Sequence, residues 1–387
     1  MTLSVVGALK NFDTDLFLKL HATITEESFY RYLKPLADTY SPSQSASWTR
    51  AHLLQSMLAE DGYSEKENFK FARNFQRTGN SVILLGQDDT AKQIWLLAHL
   101  DQITYLIEDH LGDRYSLMPI CYHLMEPGER GAVAVAYDLE TNAYEVIDKG
   151  KILCENQDDV FYLPGSDKPI RPGIRVCFES QMTWNHESGE IRGSLDDAAG
   201  VVALVEAVKF LADYDVELVL GLTDEEEGKA GFGNQTICRG GARLLRYFNQ
   251  PDLVIASDIH EAADMYGGGG PDDFKIGDGA SFAEKAAKGL GTITPPHIYE
   301  LMKQMANELA GEDIRLRENL GGYLSRTESV NAMVRTPNVA LMGFLGENRH
   351  FQRDLETGNI KDLVDLAKSV VCLVLFTQTQ KWQQMGL

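Results

Sequence analysis

The sequence predicts an α/β protein in which a mixed, largely parallel sheet is flanked by helices and interrupted by an inserted all-β unit. Three observations carry this. The runs IWLLA (94–98), VELVLGL (216–222), LVIA (253–256) and VALMGFL (339–345) are apolar on both faces apart from Glu217, as strands of a buried parallel sheet must be. Segments of helical period lie between them. From about residue 107 to 186 the texture changes to short runs such as AVAVAY (132–137) and IRVCF (174–178), set between Gly, Pro and Asn/Asp turns at close intervals. With 387 residues, 44% of them hydrophobic, the chain is long enough for one large domain and a smaller one.

Taken in order, the first apolar stretch (3–9) is short, has no basic segment before it and runs into Lys10, so it does not read as a signal peptide. Residues 14–60 carry helical spacing, broken by the Ser-rich SPSQSAS (41–47), which suits a loop and a helix N-cap. NSVILLG (80–86) and the run from Gln93 are separated by Gln87, Asp88, Asp89 and Thr90, a turn of hairpin type. After Gly193 the α/β alternation resumes. Residues 197–208 are apolar almost all round and predict a buried helix, and further helices are expected at 296–309 and 360–376.

Composition excludes several roles. Lys and Arg number 36 against 57 Asp and Glu, a formal charge of −21, which repels nucleic acid and anionic membrane surfaces. No uncharged apolar run approaches the roughly 20 residues needed to cross a bilayer. The five cysteines are odd in number, widely spaced and never arranged as CxxC, which suits a reduced, cytoplasmic chain.

Acidic and imidazole residues recur where strands end, and in open α/β sheets those ends face the ligand crevice. His99 and Asp101 alternate on one side of an extended segment, so Asp101 can orient His99. Asp196 and Asp197 open the apolar helix: one can cap it and leave the other to bridge cations. Asp224, Glu225, Glu226 and Glu227 crowd a strand end, a costly arrangement unless cations or solvent offset the repulsion. Asp258 closes another strand, with His260 two positions on, and His350 follows the last one. GGGGP (267–271) is a turn or an anion nest without phosphate-loop context, and no Ser or Cys sits in a nucleophile elbow.

At these residues the chain resembles the tetrahedral aminopeptidases, cocatalytic metallopeptidases that include glutamyl and deblocking aminopeptidases. The matching pieces are TGNSVILL, LLAHLDQI, RPGIRVCF, GSLDDAAGV, LTDEEEGKAG, LVIASDIHE, GGGGP and TPNVALMGFLGENRH, in the family's order. The resemblance implies a catalytic α/β domain in two parts, 1–106 and 189–387, with a small β-barrel dimerisation domain inserted at 107–188. It also implies two divalent ions, Zn²⁺ by default with Co²⁺ or Mn²⁺ as options, bridged by Asp196. His99 and Asp258 would complete one ion's ligands, and Glu226 and His350 the other's. Glu225 would be the general base and Asp101 the partner of His99. Around the last histidine, where the family has tyrosine and serine, stand Arg349, Phe351 and Gln352.

The expected function is removal of N-terminal residues from short peptides by a homo-oligomer, a hollow dodecamer in the family. Arg239, Arg243 and Arg326 are candidates for selecting acidic side chains, though surface or salt-bridged roles suit them better. Two alternatives remain: a carboxypeptidase or amide deacylase of the wider cocatalytic group, and a catalytically silent assembly protein with the same fold. The deacylase group usually carries an α/β lid where this chain has its insertion, so the fold of that insertion discriminates.

Overall fold

The computed structural model describes residues 4–228, 238–261, 274–289, 291–320, 324 and 327–385. Four helices come first: α1 (Val5–Phe12), α2 (Leu16–Thr23), α3 (Glu26–Asp38) and α4 (Arg50–Glu60). Ser4 caps α1 by accepting from the Gly7 amide, and Thr25 and Ser28 form a reciprocal capping box at the start of α3. Strands β1 (Phe69–Ala72), β2 (Ser81–Leu85) and β3 (Ile94–His99) follow. Six more come next: β4 (Thr104–His110), β5 (Tyr115–Ile120), β6 (Gly128–Asp138), β7 (Ala143–Cys154), β8 (Val160–Leu163) and β9 (Arg175–Phe178). The short β10 (Thr183–Trp184) and β11 (Glu190–Gly193) lead to α5 (Ala198–Leu211) and β12 (Leu218–Thr223). Then come α6 (Arg239–Leu244), β13 (Leu253–Glu261), β14 (Ala280–Ala283), α7 (Pro296–Leu309) and β15 (Leu316–Glu318). The described chain ends with α8 (Ser329–Ala332), β16 (Val339–Gly346), β17 (Glu356–Asn359), α9 (Ile360–Thr377) and α10 (Gln380–Gln384).

The main sheet has eight strands in the order β1-β2-β12-β3-β13-β16-β14-β15. Its centre, β12-β3-β13-β16, is parallel, and every residue of these four strands is buried, which is why their sequences are apolar on both faces. Antiparallel pairs flank this centre: β1 with β2, β2 with β12, and β14 with β16. The fold class is therefore the expected mixed α/β sheet. One local expectation fails: β2 and β3 do not form a hairpin. β12 lies between them, parallel to β3 and antiparallel to β2, so the 86–93 connection spans a strand supplied from more than a hundred residues later.

Alternate side chains of the sheet feed two layers. Ile94, Leu96 and Ala98 join the core built on α5 and α9, while Trp95 and Leu97 pack with Leu244, Phe248 and Ala332 on the opposite face. Of the residues in α5 only Lys209 is not buried, as the all-round apolar pattern predicts. Asp197 caps this helix, accepting from the Gly200 amide at 3.1 Å.

Strands β4 to β9 close into a barrel in the order β4-β5-β8-β7-β6-β9, with a separate apolar core that includes Tyr105, Ile107, Tyr162 and Val176. β10, β11 and β17 form a small third sheet beside it. The barrel meets the α/β unit where Phe178 stacks on Phe351, ring centres 4.4 Å apart, just after β16. All five cysteines are buried and none is in a disulfide. Among the described residues no helix is long and apolar enough to cross a membrane. The GGGGP segment lies outside the described residues.

Leu204 is fully buried in α5. Leu204→Ala is expected to cost about 2–5 kcal/mol through lost transfer energy and residual cavity. The check is a chemical-denaturation midpoint shifted downward, with divalent-cation stoichiometry unchanged.

Candidate metal centre

Parallel pairing places Thr223 opposite His99 at the carboxyl ends of β12 and β3, so the acidic turn after β12 emerges beside the histidine. Asp258 comes from the neighbouring β13, Asp196 from the residue before the cap of α5, and His350 from the loop after β16. Among the described residues three overlapping groups result: His99 with Asp196 and Asp258, His99 with Glu226 and Glu227, and Asp196 with Glu227 and His350. Within each group the ligand atoms lie within 4.8 Å of one another. Asp196 joins two of these groups through different oxygens. Its Oδ1 is 3.2 Å from His99 Nε2 and its Oδ2 is 3.5 Å from His350 Nε2.

Both imidazoles are oriented by main-chain carbonyls. His99 Nδ1 donates to the Asp101 carbonyl at 3.0 Å, and His350 Nδ1 donates to the Tyr122 carbonyl at 2.6 Å, so both Nε2 atoms face the carboxylates. Tyr122 belongs to the segment between β5 and β6, so the barrel reaches into this centre. His350 has φ +56° and Glu225 φ +62°, left-handed backbone that non-glycine residues adopt at a cost.

The structure shifts the glutamate expectations by one position. Glu225 points away from the cluster and is held by Arg239 Nε at 2.8 Å and Arg243 at 2.5 Å, so it is not placed to serve as a base there. Glu226 turns inward, but toward His99, with Oε2 3.9 Å from Nε2. Glu227 is the residue that meets His350, with Oε1 3.2 Å from Nε2. The reason is Asp101: its carboxylate accepts from the amides of Glu226 and Glu227, both at 3.2 Å, and from Ser43 Oγ at 2.5 Å. These bonds fix the turn so that two successive glutamates enter the centre while Glu225 stays with the arginines. Asp101 therefore braces the turn with its side chain and His99 with its carbonyl.

Three further residues escaped sequence reasoning. Glu356, buried at the start of β17, accepts from the Leu195 and Asp196 amides at 2.6 and 2.9 Å and from the His350 amide at 3.0 Å, tying two parts of the centre together. Arg50, fully buried, donates to the Leu100 carbonyl at 3.2 Å behind the His99 turn. Arg349 lies inside the centre, donating through Nε to Glu261 at 3.1 Å. His260, by contrast, bonds Ser281 Oγ at 2.7 Å and takes no part, and burial pushes it down to about 3. Arg326 lies outside the described residues.

The charge state fits a cation centre. Burial and the Asp196 charge push Asp258 up to about 7, and burial with the nearby Glu227, Glu328 and Asp258 carboxylates raises Glu226 against the pull of His99. Burial would lower His350, but Glu227 opposes that and carries it up to about 10. Carboxylates crowded in this way, interleaved with imidazole nitrogens, are what divalent ions offset, and the mixed N and O donor set suits Zn²⁺, Co²⁺ or Mn²⁺.

A family model described as M42 glutamyl aminopeptidase matches residues 166–366, more than half of the chain. The chain belongs to that family. The matched M42 stretch holds Asp196, Glu226, Glu227, Asp258 and His350 but not His99. Solved structures share the fold across nearly the whole M42 chain. Aminopeptidase APDkam598 from the archaeon Desulfurococcus kamchatkensis is 19% identical with a TM-score of 0.69, covering 93% of this chain and 98% of that one. The Pyrococcus horikoshii TET1 peptidase, described as assembling into a tetrahedron or a large octahedral shell, is 18% identical with a TM-score of 0.64, covering 89% and 99%. A TET aminopeptidase from a marine sediment thaumarchaeote is 14% identical with a TM-score of 0.66, covering 90% and 96%. No curated protein matches significantly.

Glu356 generates a test. Glu356→Gln replaces one acceptor with an NH₂ group facing backbone donors. It is expected to weaken divalent-cation binding by roughly 10–100-fold, the usual cost of losing an outer support. Titration calorimetry with Zn²⁺ reads this, and unchanged affinity would separate Glu356 from the centre.

Proposed function

We propose that this protein is a metal-dependent aminopeptidase that removes N-terminal residues from short peptides. One observation carries the reading: Asp196 sits between the two histidines with one oxygen toward each, as a carboxylate shared by two ions must. His99, Asp196 and Asp258 would hold one ion, and Asp196, Glu227 and His350 the other, Zn²⁺ first with Co²⁺ or Mn²⁺ as options. When bound, such a pair polarises the scissile carbonyl and makes water a nucleophile near neutral pH.

The chain's own groups do the rest. Glu226 faces His99 without being the carboxylate that meets His350, so it is available to take the proton of the attacking water and deliver it to the departing amine. Asp101 holds the Glu226 and Glu227 amides, so the base and its neighbour keep fixed positions relative to His99. The surrounding carboxylates attract a peptide's ammonium terminus and repel its carboxylate terminus, which favours cleavage from the amino end. Support against the deacylase alternative comes from the insertion, a closed barrel where that group has an α/β lid.

We read the barrel, which begins at Thr104, three residues before the expected 107–188 insertion, as the dimerisation element of a homo-oligomer. The TET1 structures titled as a dodecamer, and as a tetrahedron or octahedral shell, motivate a dodecamer here too. A cytoplasmic location fits the reduced, buried cysteines.

Glu226→Gln is expected to lower kcat by roughly 10²–10⁴-fold, the usual worth of a general base, with metal content retained. Glu225→Gln should keep most activity. The opposite ranking would return the base to Glu225. On peptides with free or blocked ends, acetylation of the amino terminus is expected to abolish turnover and amidation of the carboxyl terminus to leave it intact. Cleavage confined to free carboxyl ends would favour the carboxypeptidase alternative.

A further inference from the structure

Among the described residues, Arg349 is the one with a permanent positive charge that lies against a ligand atom of the centre. Its Nη1 is 3.0 Å from His350 Nε2, the nitrogen that also faces Asp196 and Glu227. With Nδ1 committed to the Tyr122 carbonyl, the neutral imidazole keeps its one lone pair on Nε2, and either a guanidinium N–H or a metal ion can use it. At the other end, Arg349 Nε donates to Glu261 Oε1, while Glu261 Oε2 is buried and has no hydrogen-bond partner among the described residues. The same guanidinium therefore has a second place to go. Nε and Nη2 share one edge of the guanidinium, so a small rotation that withdraws Nη1 from His350 can bring Nη2 toward Oε2 and complete a two-bond pair with Glu261, the arrangement arginine and carboxylate favour.

We propose that Arg349 is a built-in counter-cation for the His350 side of the centre. It rests on His350 while that subsite holds no metal and retreats onto Glu261 when an ion arrives. This rests on the two-ion reading above and adds an order to it. The ion held by His99, Asp196 and Asp258 binds first and more tightly. The ion held by Asp196, Glu227 and His350 must displace a charge-assisted hydrogen bond and binds second.

The test measures metal binding directly, apart from turnover. Metal-free wild type, Arg349→Met and the double variant Arg349→Met/Glu261→Gln are titrated with Zn²⁺ and with Mn²⁺ by calorimetry, and bound metal is counted after dialysis. Wild type is expected to show two steps, the second weaker. Arg349→Met should strengthen the second step by about tenfold or more, the equivalent of one charge-assisted hydrogen bond, and move the first step by less.

The double variant removes one positive and one negative charge, so net charge matches wild type. The strengthened second step is expected to persist there. If both steps shift equally in Arg349→Met, or the double variant returns to the wild-type pattern, only net charge matters and the displacement proposal is overturned. Should Arg349→Met fail to fold with Glu261 left unpaired, the double variant, which strands no buried charge, carries the comparison alone. A wild type that takes up one ion where the variants take up two is the extreme form of the expected result. Absence of binding in every form would remove the two-ion reading itself, and this proposal with it.

Discussion

Everything at the centre depends on placing acidic and imidazole side chains in a nearly dry space without letting their repulsion open the fold. Asp196 is the pivot. It stands just before the cap of α5, and its two oxygens face histidines from widely separated parts of the sequence. Burying a carboxylate costs several kcal/mol unless hydrogen bonds and opposite charge surround it. His99, His350 and the Glu356 bond to its own amide supply part of that environment. A shared divalent pair would supply the remainder, which links loading of the centre to stability of the chain.

The bracing groups are as informative as the candidate ligands. Asp101 and Glu356 act alike: each is a buried carboxylate that collects donors from separate segments, the Ser43 hydroxyl and the Glu226 and Glu227 amides for Asp101, the Leu195, Asp196 and His350 amides for Glu356, and so sets the relative position of candidate ligands. Arg50 does the complementary thing, donating to carbonyls of α3 and of the His99 turn. Burial lowers its guanidinium to about 10 against the pull of Asp101, Glu356 and Asp196. These contacts run through the backbone, so their loss would displace loops rather than single side chains.

The sequence disclosed what periodicity and local chemistry encode. The both-faces-apolar runs are the parallel centre of the sheet, the all-round apolar helix is α5, and the turn-rich stretch contains the barrel strands. What it hid was non-local. Which two of the three glutamates enter the centre is decided by Asp101 more than a hundred residues earlier and by arginines on α6, neither of which is visible along DEEE itself. The hairpin expected between β2 and β3 failed because strand insertion leaves no mark on the two strands it separates. Glu356 stands in RDLETGN, a stretch for which the sequence raised no expectation, and only the amides gathered around it reveal its position.

The Tyr122 carbonyl carries a last consequence. The hydrogen on His350 is located by a residue of the barrel rather than of the sheet that delivers the histidine. The two units are thus not interchangeable parts. A chain trimmed of its insertion would retain every candidate ligand and still lose the constraint that decides which face of that imidazole is basic. Any rearrangement of the barrel wall, including one imposed by a neighbouring copy, has a direct mechanical route to the chemistry.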